Sequence, residues 1–235
     1  TAAEALAARL EADPEREHRQ VAMVDRRGGV AVHTGASCIR EAGHRTGEGF
    51  SCQANMMRRP TVWDAMADAF AGSSGPLADR LLLALEAAEA EGGDIRGRQA
   101  ARLLVVRAEA TDRPWEDVLV DLRVDDHPDP LPELRRLLTL HRAYERLERA
   151  EELELAGDLE GAFAERRAAM ALVPDNPEIA FWTAVSLALA DRLDEARAAL
   201  AVALPADPGW AELLRRLGEQ RLMGLTPELA SRLLA

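Results

Sequence analysis

The 235-residue chain contains no lysine: all 29 of its basic residues are arginine. Genomic base composition is the simplest cause, but the chemical consequence holds whatever the cause. Schiff-base catalysis and the lysine of a phosphate-binding P-loop are both excluded. Cysteine is nearly as scarce. Cys38 and Cys52 match neither a disulfide framework nor a zinc spacing, so a reduced thiol pair in a cytoplasmic protein is expected. His18, His33, His44 and His127 lack metal-ligand spacing, and neither a metal nor a cofactor is expected. A Gly-x-Ser-x-Gly nucleophile elbow is missing as well. The longest apolar stretch, 179–190, is broken by Thr183 and Ser186 and is too short to span a membrane. No signal peptide is evident. Positive charge is in deficit, the formal net being −12, which argues against a grip on nucleic-acid phosphates. Nucleic acid and membrane are therefore not expected partners. Aromatic residues make up only 4% of the chain, so alanine and leucine dominate its 48% hydrophobic share. That mix favours close-packed helices.

What is present divides in two. Thr1-Ala2-Ala3-Glu4 is a capping box before an alanine/leucine helix over 2–12, so the chain opens on a helix with no strand before it. Strands are expected over 20–25 and 30–33, joined by Arg26-Arg27-Gly28-Gly29. The stretch 34–49 is glycine-rich and reads as irregular. A strand over 50–56, helices near 61–71 and 76–91, and strands over 101–107 and 117–124 follow. This order suggests a sheet covered by paired helices.

From Leu131 onward no strand signal remains. Overlaid on itself at a shift of 34, the region aligns Ala150 with Ala184 and Gly218, Ala162 with Ala196, Ala169 with Ala203, and Pro174 with Pro208. Small residues at fixed offsets, with proline closing each hairpin, are the signature of tetratricopeptide-type repeats. Small side chains let paired helices approach closely, and proline stops the second helix. Phe181, Trp182 and Trp210 are expected to fill the stack. The expected organisation is an α/β domain over 1–130, a connecting helix over 131–142 and all-α helical repeats over 143–235.

Candidate chemistry in the first domain is dispersed. Gly92–Gln99 is either an anion cradle flanked by Arg96 and Arg98 or a tight helix-to-strand turn. Asp125-Asp126-His127 either holds a water for acid–base work or closes a strand with turn-forming residues. Gln53 and Asn55 share one strand face and either offer hydrogen bonds to an amide or oxyanion or satisfy buried backbone. Cys52, in an alternating strand, reads as a core thiol.

Six ordered segments carry a resemblance: Arg16–Gln20, Val32–Gly35, Gly43–Gly47, Gln53–Met56, Gly92–Gln99 and Asp121–His127. Together, over about 1–142, they resemble a bacterial family of unknown function (domain-of-unknown-function family 1028) assigned to the N-terminal-nucleophile (Ntn) hydrolase-like group. The resemblance implies an α+β fold: a partial αββα sandwich, followed here by the all-α tetratricopeptide-like repeats. In that wider group a Thr, Ser or Cys heading the first strand attacks an amide, with its own amine as base. The family's leading segment, which starts with a strand and would carry the nucleophile, has no counterpart here. Thr1 heads a helix that it is suited to cap. Ala54 and Ala100 stand where the family tends to have glycine and serine. On the resemblance and on chemical grounds, His33, Thr34, Gly35, His44, Gln53, Asn55, Asp94, Arg96, Arg98 and Asp125 are the candidate site lining.

Two functions follow as expectations. One is an amide or peptide-type hydrolase of the Ntn kind whose nucleophile is not in this chain, with the repeats recruiting a peptide or protein. The other is a non-catalytic binding or assembly protein that uses the repeat groove on an Ntn-like scaffold. An exposed sheet edge would also let the chain pair with another copy as a homo-oligomer. A sandwich lacking strands should leave an apolar face or edge open. Losing about 1000 Å² of burial forfeits about 25 kcal/mol, so a further segment is expected to complete it.

Overall fold

The computed structural model describes residues 1–235 and divides into two compact units, Thr1–Arg136 and Leu137–Ala235. In the first, α1 (Ala2–Ala12) begins where the Thr1 hydroxyl accepts the Glu4 N–H at 3.3 Å. The Glu4 carboxylate reaches back to the Thr1 nitrogen at 2.9 Å, completing the capping box. The helix packs on the antiparallel hairpin of β1 (Gln20–Val24) and β2 (Val30–Thr34). Asp25 anchors the turn between them, its carboxylate accepting the N–H groups of Ala2, Arg27 and Gly29 at 2.9–3.0 Å. Those backbone bonds hold its carboxyl below the usual range. Gly28 supplies the left-handed backbone, at φ +79°, that the turn requires.

A second hairpin joins β3 (Gly43–Gly47) to β4 (Phe50–Ala54). Here the structure corrects the reading of 34–49 as irregular, because β3 lies inside it. The strand escapes the alternation test because its middle residues, His44, Arg45 and Thr46, are all exposed. Its ends are glycines for steric reasons: a Cβ at Gly43 would sit 2.4 Å from the Trp63 ring, and one at Gly47 would sit 2.1 Å from the Phe50 ring.

Helix α2 (Val62–Gly72) packs on β3 and β4, and α3 (Leu77–Ala90) packs on α2 and on β5 (Ala101–Val106). Strand β5 pairs only with β6 (Val118–Val124), with a register shift at Val105/Val106. The mixed α+β class is as expected, but its six strands form three separate two-stranded sheets.

The long helix α4 (Pro130–Leu155) contains the division between the units. The second unit continues with α5 (Leu159–Leu172), α6 (Pro177–Leu189), α7 (Leu193–Ala203), α8 (Gly209–Glu219) and α9 (Pro227–Leu234). Asn176 caps α6 by accepting the Glu178 and Ile179 N–H groups, with Pro177 at its first turn. The small residues of the 34-residue pattern sit where helices meet: Ala150, Ala162, Ala169, Ala184, Ala196 and Ala203 are fully buried. A Cβ at Gly218 would lie 3.0 Å from Ala230 and 3.1 Å from the Thr226 carbonyl. Phe181 fills the stack with its ring 5.1 Å from that of Trp210, and Trp182 packs at the cluster's edge. No helix is long and apolar enough to cross a membrane.

Candidate functional site

The open ends of the first two hairpins converge on one side chain. Gln20, heading β1, places its amide nitrogen within 3.0–3.1 Å of the Thr34 hydroxyl and the Gly43 and Ala54 carbonyls. Two hydrogens serve three acceptors, so one bond is shared. The Gln20 carbonyl oxygen accepts from the Asn55 amide at 3.0 Å. Thr34 passes the network on to His44 Nδ1 at 2.8 Å.

On one side of this knot lies a cavity of about 890 Å³. Gln20, Gln53, Asn55, Asp94, Arg96 and Arg98 contribute its polar wall. Met66 of α2 and Leu85 and Ala88 of α3 form its apolar floor. The arginines are already matched to carboxylates. Arg96 clasps Asp94 in a bidentate pair at 2.6–2.9 Å, and this pairing holds the Asp94 carboxyl below its usual range. Arg98 pairs with Asp129 and, at 3.3 Å, with Glu89; Arg102 pairs with Asp121 at 3.0 Å. Gln53 is different: its carbonyl oxygen is buried without a hydrogen-bond partner.

The glycine-rich loop leaves little room for an anion. The N–H groups of Gly92, Gly93, Ile95 and Gly97 each donate to a backbone carbonyl, and that of Arg96 donates to Asp94 Oδ1. The loop is a tight helix-to-strand turn, with positive φ at Gly92, Gly93 and Gly97. Asp125 is exposed and lines no cavity. Nearby, His127 donates its N–H to Gln99 at 2.9 Å and accepts from the Asp129 N–H at 3.0 Å, closing a turn.

Thr34, Gly35 and His44 line a separate shallow hollow of about 520 Å³ beside Trp63. Gly35 is there for close packing, since a Cβ would fall 2.2 Å from the Glu17 carbonyl. His33 turns away and binds the Arg16 carbonyl at 2.8 Å. The structure therefore gathers Gln53, Asn55, Asp94, Arg96 and Arg98 around one cavity and places the other five candidates elsewhere. Sequence reasoning missed Gln20, which binds both hairpins together. Its signal was available: one amide heading an otherwise apolar strand.

Cavity chemistry is limited by what is absent from its wall. No Ser, Thr or Cys lines it. Cys52, the buried middle residue of β4, has its thiol pKa pushed up by burial, against thiolate formation.

The repeat unit carries its own hollow, about 260 Å³, walled by Phe163, Trp182, Leu189 and Met223. At its base Arg166, itself buried, donates to both Glu154 oxygens at 3.0 and 3.1 Å, and the Ser186 hydroxyl donates to the same carboxylate. Burial alone would raise the Glu154 pKa; the bonds from Arg166 and Ser186 outweigh it and hold the carboxyl below its usual value.

These features define a two-module protein, an α+β unit with a polar cavity joined to a helical-repeat unit. Residues 1–134 match the family of unknown function DUF1028, and the chain belongs to that family. Residues 153–217 match the tetratricopeptide repeat. The chain is similar to protein SPO2555 from Silicibacter pomeroyi, a solved structure also matched to DUF1028. The two share 32% identity at a TM-score of 0.50, over 57% of this chain and 55% of that one, so the match spans about half of the related protein. No curated protein matches the sequence.

Proposed function

We propose that the chain is a polypeptide-binding protein in which the repeat unit grips a partner segment and the α+β unit is a scaffold. The carrying observation is the hollow beside Trp182. It offers an apolar slot for one side chain, ringed by exposed Leu159, Leu189 and Met223. Glu151 lines the same hollow and supplies a carboxylate beside the slot. A segment presenting a leucine-sized side chain next to an arginine or lysine fits that chemistry, and the net charge of −12 favours it at long range. Both cysteines are free, which supports a cytoplasmic setting.

The test is fluorescence anisotropy with labelled Gly/Ser peptides carrying Leu alone, Leu-Arg or Leu-Glu. Leu-Arg is expected to bind tightest, and Trp182→Ala to weaken it by about tenfold. Equal weak binding of all three peptides, unchanged by the substitution, would refute the reading.

A second reading is an amide or peptide-type hydrolase of the N-terminal-nucleophile superfamily. Two observations support it. The packing order of α1, the first hairpin, the second hairpin and α2–α3 follows an αββα succession, and the cavity wall is rich in amides. Gln53 and Asn55 would there orient a scissile amide, with Asp94 and Arg96 holding the loop beneath it. The nucleophile would have to come from outside the cavity-lining residues of this chain. Turnover of N-acyl amide substrates by this chain alone is expected to be absent, and measurable turnover would favour this reading over the scaffold.

A further inference from the structure

We propose that Thr34 and His44 form a reactive pair, a hydroxyl nucleophile and its base, that takes the acyl group from activated esters of small carboxylic acids. This activity belongs to the α+β unit and does not depend on the slot in the repeat unit. Thr34 ends β2, His44 follows the first residue of β3, and the two strands pack against each other. The side chains meet at 2.8 Å, Thr34 Oγ1 to His44 Nδ1. That is the distance a hydroxyl nucleophile needs from its base. Both residues line the hollow of about 520 Å³ beside Trp63, so a substrate can reach the pair.

The surrounding bonds fix which way the hydrogen points. Gln20 Nε2 faces the Gly43 and Ala54 carbonyls, which only accept, so that atom is the amide nitrogen and a donor. It also lies 3.1 Å from Thr34 Oγ1, so the hydroxyl accepts there. The Thr34 hydrogen is left for His44 Nδ1, and neutral His44 carries its own proton on Nε2. Nδ1 is therefore a base facing a hydroxyl. Burial does not demand the pairing, because His44 is exposed and water reaches it. Small neighbours, Ala36, Ala42 and Gly43, keep the hollow open. The missing side chain of Gly43 also lets the Trp63 ring lie close, which gives the hollow a flat apolar wall suited to an aryl leaving group.

In the first step Thr34 Oγ1 bonds to the ester carbonyl carbon while its proton passes to His44 Nδ1. The tetrahedral adduct collapses by breaking the bond to the aryloxy oxygen, which takes that proton and leaves as a phenol. Water then adds to the acyl-threonine and gives a proton to Nδ1. The acid departs as that proton returns to Thr34 Oγ1. Ester and water are consumed, and acid and phenol are formed. What the hollow lacks sets the substrate class. The N–H groups of Gly35, Ser37 and Cys38 donate to backbone carbonyls, and that of Ala36 donates to the Glu17 carboxylate at 3.0 Å. None of these is free for an oxyanion, and one missing donor costs a factor of about 10²–10³ in rate. Arg40 lines the hollow and is held only loosely by Glu41, at 3.5 Å. Amides are therefore out of reach, whereas an ester with a good leaving group is not. The acyl-threonine is itself an unactivated ester, so its hydrolysis is the slow step and it accumulates.

The test is the reaction of the full chain with p-nitrophenyl acetate, followed by acid quenching and mass spectrometry to locate the acetyl group. A burst of p-nitrophenol is expected, with one acetyl group on Thr34. The burst should be about a hundredfold faster than release by free imidazole at the same concentration. Thr34→Val keeps the shape of the side chain and is expected to abolish both the burst and the acetylation. His44→Gln is expected to slow the burst about a hundredfold, and Thr34→Ser to retain it. Should Thr34→Val fail to fold, the position of the acetyl group on the unsubstituted chain decides. Cys38 lines the same hollow, its thiol 3.5 Å from the Arg19 carbonyl, and is the competing nucleophile. Three results would overturn the proposal: release no faster than by free imidazole; an acetyl group on Cys38, or on any residue other than Thr34; or a folded Thr34→Val chain that reacts like the unsubstituted one.

Discussion

The two units reach their cores by opposite routes. In the repeat unit each helix meets a partner only a few turns away in sequence, and the pairing closes on itself. Ala184, Ala196, Leu200 and Leu214 are all buried to 1% exposure or less. In the α+β unit no residue of β1, β2 or β3 is fully buried, and the buried strand residues are Cys52, Leu103, Val120 and Val124. A helical hairpin satisfies its own backbone and needs neighbours only for one face. A strand needs a second chain segment at each edge as well, so a unit of separate hairpins keeps open edges and hollow interiors.

That contrast can be broken most directly by equal truncations in the two cores. Leu214→Ala is expected to cost about 4 kcal/mol, because closely packed helices leave the cavity unfilled. Leu103→Ala is expected to cost about 2 kcal/mol, since Leu103 already borders a hollow of about 270 Å³ and forfeits fewer contacts. Urea unfolding followed by amide exchange in each unit separates the two. Equal losses would mean that the α+β core is as closely packed as the repeats.

Electrostatics sharpens the same comparison. Glu154→Gln leaves the Arg166 guanidinium buried with weaker partners and is expected to cost the repeat unit about 3 kcal/mol. The sign of the pH effect follows from the depressed Glu154 pKa. Its stabilisation is fully present above the unfolded glutamate value of about 4.3 and is lost as pH falls through the lower folded value. Unfolding of the repeat unit between neutral pH and pH 3 should show that loss, and the variant should show less of it. In the other unit, Gly43→Ala drives a Cβ into the Trp63 ring and is expected to cost about 2 kcal/mol, read by Trp63 emission during unfolding.

Legibility followed the same division. The period of the repeat unit could be read, because Ala150, Ala184 and Gly218 recur at one spacing and sit where helices pack closely. Helices α2 and α3 were placed to within a residue for the same local reason. Strand β3 was hidden because its middle residues are exposed and its glycines answer to rings contributed by Trp63 and Phe50. The cavity was half legible. Period-two alternation put Gln53 and Asn55 together, and the glycine-rich loop brought Asp94, Arg96 and Arg98. The role of Gln20 depends on the approach of two hairpin ends, which no local pattern encodes.

The smallest expected effect runs in the opposite direction and probes a flaw in the well-packed unit. Thr183 in α6 is 2% exposed, and its hydroxyl has no hydrogen-bond partner. A neighbouring half-buried polar group, Ser186, is matched to Glu154, so the repeat core tolerates polarity where it is satisfied. Thr183→Val keeps the side chain's shape and its β-branching while removing an oxygen that must leave water without compensation. Helix propensities of the two residues are close, so the change in stability reports the hydroxyl itself. The substitution is expected to stabilise the repeat unit by about 1 kcal/mol, seen as a higher urea midpoint at unchanged slope. A loss instead would show that the hydroxyl bonds to a preceding carbonyl of its own helix, and that the close packing of the repeats extends to this position without exception.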